Sequence, residues 1–262
     1  MSPRNADTPR FRALILGGTA EARALAQAMV AAGLDVTTAL AGRTATPLGL
    51  PGHVRTGGFG GAHGMITALI EGGYHALIDA THPFAAAISA NAAEAAAVTG
   101  LPFLRLSRPA WPDRPGWLVV PGLAEAAASL PPGASVLLAI GRQGIAPFAS
   151  RPDCRFVARM IEAPDDVPED WTLLFERGPF TRETEMRLQR EHRITHLVSK
   201  NSGAAAVAAK LDAAERLGVT VVMVARPALP PAPEVATVAA ALAWVTAHAG
   251  TPNPSTSKPA ST

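Results

Sequence analysis

The residues of this chain that are best suited to chemistry lie in short polar loops that follow apolar runs. Gly17, Gly18 and Thr19 form the first such loop, between a strand-like apolar run and a helix-forming stretch. Glycine lets a ligand approach the backbone closely, and free N–H groups at a helix start favour a phosphate. This loop is therefore predicted to hold a nucleotide. Because the G-x-G-x-x-G spacing is missing and Glu21 would repel a phosphate, a plain helix-opening turn is the alternative.

Arg43 and Thr44 follow the second predicted strand, 35–40. A dinucleotide site that selects NAD places an acidic residue at this point, whereas an arginine accommodates the 2′-phosphate of NADP. If a dinucleotide binds, the sequence therefore favours NADPH over NADH. A solvated loop arginine is the alternative interpretation.

A glycine-rich loop surrounds a single aromatic residue. Phe59 lies among Gly57, Gly58, Gly60 and Gly61. Four glycines free the backbone to wrap a ligand, and an aromatic ring among them can cover a flat ring system. The loop is predicted to contact the same cofactor, with a flexible turn as the alternative.

A fourth loop contains a histidine that could take part in chemistry. Thr81 and His82 follow an apolar run, and Pro83 and Phe84 precede a helix-forming stretch. The unperturbed pKa of histidine lies near neutrality, so His82 could donate a hydrogen bond or a proton. A capping histidine, or one satisfied in the core, is the competing interpretation.

Cationic and amide side chains follow apolar runs in the second half of the chain. Arg142 lies in one such loop, Lys200, Asn201 and Ser202 lie in another, and Arg226 ends the last run. Lysine, asparagine and serine at a helix start suit an anion or an amide group. These residues are predicted to bind an anionic ligand.

The elements that must position these loops are alternating strands and helices. In the first half, strands are predicted at 13–16, 35–40, 75–79 and 102–106, with helices between them. Repeated βα units imply a parallel, doubly wound sheet, and ligands collect at the carboxyl ends of its strands. The second half repeats this alternation and is predicted to end in a helix over 234–248.

The proline-rich segment 108–115 is the predicted domain boundary. It separates an N-terminal domain, 11–110, from a C-terminal domain, 116–249. The polar termini, 1–10 and 250–262, are expected to be disordered tails.

Composition limits the kind of partner. The 262 residues carry a formal net charge of only +2, aromatic residues make up 5%, and there is one cysteine. Nucleic-acid and membrane binding are disfavoured. The sequence has no Cys/His cluster with the spacing of a zinc site, so no metal is expected. A single cysteine fits a cytoplasmic protein. Arginine recognises carboxylates and phosphates with a planar fork, so the abundance of arginine over lysine suggests an anionic small molecule.

Five motifs, in order and over nearly the whole chain, resemble the precorrin-6A reductase family of cobalamin biosynthesis. They are Leu16-Gly-Gly-Thr-Ala-Glu21, Thr56-Gly-Gly-Phe-Gly-Gly61, Asp79-Ala-Thr-His-Pro-Phe84, Arg105-Leu-Ser-Arg-Pro109 and Val198-Ser-Lys-Asn-Ser-Gly203. The resemblance implies an NADPH-dependent reduction of one carbon–carbon double bond of a corrinoid precursor. It also implies an α/β fold of two Rossmann-like subdomains, each with a mainly parallel sheet flanked by helices, and a ligand site in the cleft between them.

With this resemblance, each loop can be given a role. The residues expected to bind the cofactor are Gly17, Gly18, Thr19, Arg43, Thr44, Gly57, Gly58, Phe59, Gly60, Gly61, Thr81, Pro83 and Phe84. The residues assigned to the anionic tetrapyrrole are Arg105, Ser107, Arg108, Arg142, Asn201, Ser202 and Arg226. His82 and Lys200 are the candidate catalytic side chains, with water as the other possible proton donor.

Other functions remain open at this stage. The substrate could be the cobalt-containing form of the macrocycle, or the chain could be a non-catalytic tetrapyrrole carrier, as a monomer or weak oligomer. A short-chain dehydrogenase needs a Tyr-x-x-x-Lys pair. The single tyrosine, Tyr74, has Ile78 four residues later, so that class is excluded.

Overall fold

The computed structural model describes residues 11–40, 49–162 and 166–250. The chain divides into two compact units. The first unit combines Met1–Arg108 with Ala228–Thr262, and the second unit is the continuous segment Pro109–Pro227.

Within the described ranges the chain forms twelve strands and eight α-helices. The strands are β1 (Arg12–Leu16), β2 (Asp35–Leu40), β3 (His53–Thr56), β4 (Ala76–Asp79), β5 (Phe103–Leu106), β6 (Leu118–Val120), β7 (Ser135–Ala139), β8 (Arg155–Met160), β9 (Thr172–Phe175), β10 (His196–Lys200), β11 (Thr220–Val224) and β12 (Glu234–Val235). The helices are α1 (Ala20–Ala31), α2 (Gly61–Glu71), α3 (Ala86–Thr99), α4 (Leu123–Ala128), α5 (Ala146–Ala149), α6 (Arg182–Glu191), α7 (Ala209–Leu217) and α8 (Val238–Ala249).

Each unit contains one parallel sheet, with six strands among the described residues. The order is β12-β5-β4-β1-β2-β3 in the first unit and β6-β11-β10-β7-β8-β9 in the second. Both orders follow the doubly wound Rossmann pattern 3-2-1-4-5-6 when they are written from the other edge of the sheet. The strand at position 6 of this pattern is β12 in the first sheet and β6 in the second. The prediction of two α/β units with mainly parallel sheets is confirmed.

Apolar side chains cover both faces of the first sheet. One cluster joins Ile15 to Leu25 of α1 and Val245 of α8, and the other joins Leu14 to Met65 of α2. Successive residues of β1 point to opposite faces, which is why a continuous apolar run suits this strand. With both faces occupied, the carboxyl edge of the sheet is the place left for a ligand.

The predicted extent of the C-terminal domain, 116–249, is too long, because the segment from Ala228 onward belongs to the first unit. There β12 pairs with β5, and α8 contacts α1. The physical reason is that β5 needs a neighbour at its open edge and α8 has an apolar face to bury. The predicted helix from Glu234 instead begins at Val238, where the Thr237 hydroxyl accepts a hydrogen bond from the Ala240 N–H at 3.2 Å.

Of the predicted tails, residues 1–10 and 251–262 lie outside the described residues, as do Arg43 and Thr44. Gly250, the first residue of the predicted C-terminal tail, caps the end of α8. In the part of the chain that is described, no helix is long and apolar enough to cross a membrane. The same part holds no group of three or more His, Cys, Asp or Glu side chains that could bind a metal ion.

Candidate active site

The predicted site residues concentrate where the strand order of each sheet reverses. In the first unit Leu16 pairs with Asp79, which places the loops after β1 and β4 side by side. In the second unit Ala139 pairs with Ser199, which does the same for the loops after β7 and β10. Open α/β sheets bind ligands at this reversal. We call residues 17–19 and 80–84 the first switch point, and residues 140–144 and 200–203 the second switch point.

The backbone of the first switch point is shaped for a close ligand. Gly18 has a left-handed φ of 109° and open space where a Cβ would stand, so its backbone is accessible from outside. At Gly17 a Cβ would lie 2.8 Å from Cγ2 of Thr38, so close packing on β2 requires glycine there. The Thr19 hydroxyl caps α1 by accepting from the Ala22 N–H at 3.1 Å. This open glycine before a capped helix fits the phosphates of a dinucleotide.

Glu21, which would repel a phosphate, has a compensating partner. Its carboxylate accepts a hydrogen bond from Nη1 of Arg108 at 2.6 Å, and both side chains are largely buried. Arg108 was predicted to hold a substrate carboxylate, and the structure places it on Glu21. The negative charge beside α1 is therefore neutralised within the protein.

A buried ion pair supports the loop after β4. Oδ1 of Asp79 accepts hydrogen bonds from the Thr81 N–H at 3.2 Å and the Thr81 hydroxyl at 2.7 Å, and Oδ2 lies 3.5 Å from Nε of Arg105. Nη1 of Arg105 also donates to the Pro230 carbonyl at 3.1 Å. Arg105 was predicted to face the substrate, but it is only 6% exposed and lies beneath the loop. The pair fixes the backbone that carries His82.

His82 is exposed, and its ring is oriented by its own loop. Nδ1 accepts a hydrogen bond from the Phe84 N–H at 3.2 Å, and the two rings lie 5.8 Å apart. An accepting Nδ1 places the proton of the neutral ring on Nε2. Thr19 links this loop to α1, because its hydroxyl donates to the Ala80 carbonyl at 2.7 Å. The first switch point thus joins the open backbone at Gly18 to the loop that carries His82.

The glycine-rich loop holds Phe59 in a defined place. Gly60 and Gly61 have left-handed φ angles of 78° and 89°, and a Cβ on Gly64 would lie 1.7 Å from the Phe59 carbonyl oxygen. Phe59 packs against the apolar cluster under α2. Arg55, which the sequence analysis did not select, has its guanidinium 4.3 Å from the centre of the Phe59 ring. A basic residue in the strand before a glycine loop was the signal available for it.

The second switch point carries cationic side chains. Gly141, with a φ of 75°, opens a 3-10 turn that presents Arg142, and Nη1 of Arg142 lies 3.3 Å from a carboxylate oxygen of Glu162. Lys200 ends β10 and is half-buried. Burial lowers the pKa of the Lys200 amine below its usual 10.5, because the charged form loses hydration.

The remaining predicted residues of the second unit hold its loop in shape. The Asn201 side chain accepts from the Trp111 N–H at 2.8 Å and donates to the Trp111 carbonyl at 3.0 Å. Arg226 donates to the carbonyls of Asn201 at 3.0 Å and Ser202 at 3.2 Å. A Cβ on Gly203, whose φ is 70°, would lie 1.9 Å from the Pro109 carbonyl oxygen. These contacts hold the loop that follows Lys200.

A wider cavity of about 520 Å³ lies beside α6 in the second unit. Arg159, Glu176 and Phe180 border it, and none of the predicted site residues does. The buried charge of Arg159 is matched by Glu185, with one pair of side-chain atoms 3.1 Å apart. The cavity therefore offers no unbalanced charge at Arg159.

Comparison with known proteins identifies the family. The family model described as precorrin-6x reductase CbiJ/CobK matches residues 12–246. The precorrin-6A reductase of Rhodococcus erythropolis is 50% identical over 240 residues, covering 89% of this chain and 97% of that protein. The precorrin-6A reductase of Rhodobacter capsulatus is 41% identical over 246 residues, covering 92% and 98%.

A solved structure agrees with these matches. The structure described as CobK precorrin-6A reductase has a TM-score of 0.85 and 40% sequence identity, covering 91% of this chain and 97% of that one. The resemblance found in the sequence motifs is confirmed. This chain belongs to the precorrin-6x reductase family, CbiJ/CobK, and is an oxidoreductase of that family.

Proposed function

We propose that this chain reduces one carbon–carbon double bond of precorrin-6A, with NADPH as the reductant, in cobalamin biosynthesis. The observation that carries the proposal is the pair of switch points, one suited to phosphate and the other to carboxylates, in a member of this reductase family. The names of the relatives at 50% and 41% identity supply the substrate.

The first unit is the proposed cofactor-binding unit. Gly18 and the start of α1 would hold the pyrophosphate, since the backbone is open at Gly18 and the charge of Glu21 is neutralised. Gly17 would contribute by keeping the loop packed on β2. Arg43 and Thr44 are proposed for the adenosine end, and the glycine-rich loop and residues 81–84 for the rest of the molecule. When bound, NADPH supplies the hydride for the reduction.

Arg142 and Lys200 are the proposed anchors for the acidic side chains of the tetrapyrrole. Both are cations at the carboxyl end of a sheet, and an approaching carboxylate offsets the cost of holding the charge of a half-buried lysine away from water. Ser107, which borders the same small cavity as Thr81 and His82 in the first unit, is proposed to contact the ligand there. Asn201 and Arg226 would act by keeping the loop of Lys200 in shape.

The protein's chemical task is then to position the reactants and to deliver a proton. Positioning and charge complementarity dominate when the substrate is already a conjugated, activated system. Nε2 of His82 is placed to donate a hydrogen bond or a proton, because Nδ1 is engaged by the Phe84 N–H. Water is the competing proton source.

Incubation of the purified protein with precorrin-6A and NADPH tests the proposal. We expect a change in the absorption spectrum of the macrocycle and one NADPH oxidised for each macrocycle reduced. Binding of the macrocycle without consumption of NADPH would instead identify a carrier. A parallel incubation with the cobalt-containing form compares the two substrates, and a faster reaction with that form would contradict the choice of precorrin-6A.

A further inference from the structure

We propose that Arg55 is a specificity-determining residue that binds the 2′-phosphate of NADPH. This proposal rests on the proposed function, because it assumes that the first unit binds the cofactor. It adds a residue to the cofactor site that neither the sequence motifs nor the family comparison assigns.

The position of Arg55 along the sheet supports this role. In the register of β2 and β3, Arg55 pairs with Ala39 and Thr56 pairs with Leu40, the last residue of β2. The Gly57 N–H continues this pairing by donating to the Leu40 carbonyl at 3.0 Å. A Rossmann site distinguishes NADP from NAD at the carboxyl end of its second strand. Arg55 therefore lies on the neighbouring strand at the level where that distinction is made.

Within the described ranges, no carboxylate matches the charge of Arg55. Its guanidinium lies 4.3 Å from the Phe59 ring centre, and it makes no hydrogen bond or ion pair with the described residues. Three other described arginines also stack on aromatic rings, and each of those three has a carboxylate partner as well. They are Arg12 with Asp35, Arg114 with Asp212, and Arg159 with Glu185.

The Phe59 ring, on which the Arg55 guanidinium stacks, is held in place. Phe59 packs on the apolar cluster that includes Met65. Its backbone fits against α2 because Gly64 lacks the Cβ that would meet the Phe59 carbonyl oxygen at 1.7 Å. A guanidinium stacked on a fixed ring keeps its in-plane N–H groups directed outward and loses little freedom on binding an anion.

The position and surroundings of Arg55 indicate which ligand group its guanidinium binds. A planar guanidinium with unengaged N–H groups recognises a phosphate with two parallel hydrogen bonds. NADPH presents such a phosphate on its adenosine ribose, where NADH has a hydroxyl. The half-buried setting of Arg55 makes the contact stronger than one in bulk water.

Titration calorimetry with NADP⁺ and NAD⁺ tests the proposal without using turnover. Arg55→Gln should weaken NADP⁺ binding by about ten- to a hundredfold, since one charge-assisted contact is lost, and change NAD⁺ binding by less than about twofold. Phe59→Leu should shift NADP⁺ in the same direction by less, because the guanidinium loses its platform. Arg155→Gln, which removes an exposed arginine from the second unit, is the matched control and should change neither affinity.

A second pair of probes isolates the phosphate from the rest of the cofactor. Adenosine 2′,5′-bisphosphate should bind wild-type protein more tightly than adenosine 5′-monophosphate, and Arg55→Gln should reduce that difference by about ten- to a hundredfold. Thermal unfolding of each variant confirms that it is folded. If Arg55→Gln keeps the wild-type preference for NADP⁺, or weakens both dinucleotides equally, the role of Arg55 is overturned while NADPH use stands. If wild-type protein binds NAD⁺ as tightly as NADP⁺, both proposals are overturned.

Discussion

The two switch points occupy the same position in sheets of the same strand order, yet they are built from different groups. The first offers the backbone, through Gly18 and the start of the twelve-residue helix α1. The second offers side chains, through Arg142 and Lys200, and the helix α5 that follows β7 has only four residues. The fold therefore fixes where a ligand binds, and the loops decide whether backbone dipoles or side-chain charges meet it.

The supports beneath the two loops differ in the same way. Under the first switch point, Thr81 is held by the buried ion pair of Asp79 and Arg105. Under the second, the loop is held by neutral hydrogen bonds between Asn201 and Trp111 and by those that Arg226 donates to backbone carbonyls. A buried charge depends on its partner much more strongly than a neutral amide does. The two loops should therefore respond unequally when their supports are removed.

The largest effect is expected from Arg105→Met. Removing one partner of a buried ion pair typically costs about 3 to 5 kcal/mol, because the other charge is left unpaired, here on Asp79 with 2% exposure. Urea unfolding should show this loss. In the double variant Asp79→Asn with Arg105→Met, much of the stability should return. A loss for Arg105→Met no greater than that for Asn201→Ala would contradict the contrast between ionic and neutral supports.

A crossed pair of variants tests the assignment of ligands to the two switch points. Lys200→Met should raise the KM for the tetrapyrrole, and Arg43→Ala should weaken NADPH binding, each by about 1.5 to 3 kcal/mol for one charge-assisted contact. Arg43→Ala should leave NADH binding almost unchanged. Steady-state kinetics with each substrate varied in turn measures both effects. An equal response of both substrates to either variant would show that the division between the units is wrong.

A smaller effect is expected at His82, where the first switch point provides a side chain. His82→Ala should lower kcat about tenfold, or ~1.4 kcal/mol, if the histidine only orients the ligand. The pH profile should then keep both of its limbs near neutrality. A loss of more than about a thousandfold with unchanged NADPH affinity would identify His82 as the general acid.

The smallest predicted effect is a pH dependence confined to one ligand. Because burial lowers the pKa of Lys200, its amine is charged at lower pH and becomes neutral before an ordinary lysine does as the pH rises. The KM for the tetrapyrrole should therefore rise at alkaline pH below 10.5, whereas NADPH affinity should stay flat if it relies on backbone N–H groups and arginine, as proposed. Lys200→Arg should flatten the KM profile. A profile that is the same in wild type and Lys200→Arg would argue against a charged role for Lys200.

Sequence reasoning succeeded where the signal is local. β1, the glycine turn and the Thr19 cap are neighbours in the chain, and hydrophobic pattern and capping preference suffice to predict them. β3 was missed because its four residues are not buried and show no apolar pattern. The engagement of Arg105 with Asp79, 26 residues away, and of Asn201 with Trp111, 90 residues away, requires the folded chain. Sequence patterns identify which loops carry chemistry, but they do not show which polar residues face the ligand and which support it.

The position of β12 has a consequence for how the chain is made. A ribosome releases residues 109–227 in one piece, so the second sheet can be completed as soon as β11 has emerged. The first sheet begins with β1 but lacks its last strand and α8 until the segment from Ala228 has been synthesised. Domains usually fold in the order in which they are synthesised. Here the unit that starts first finishes last, and until then the edge of β5 stays open for pairing with another chain.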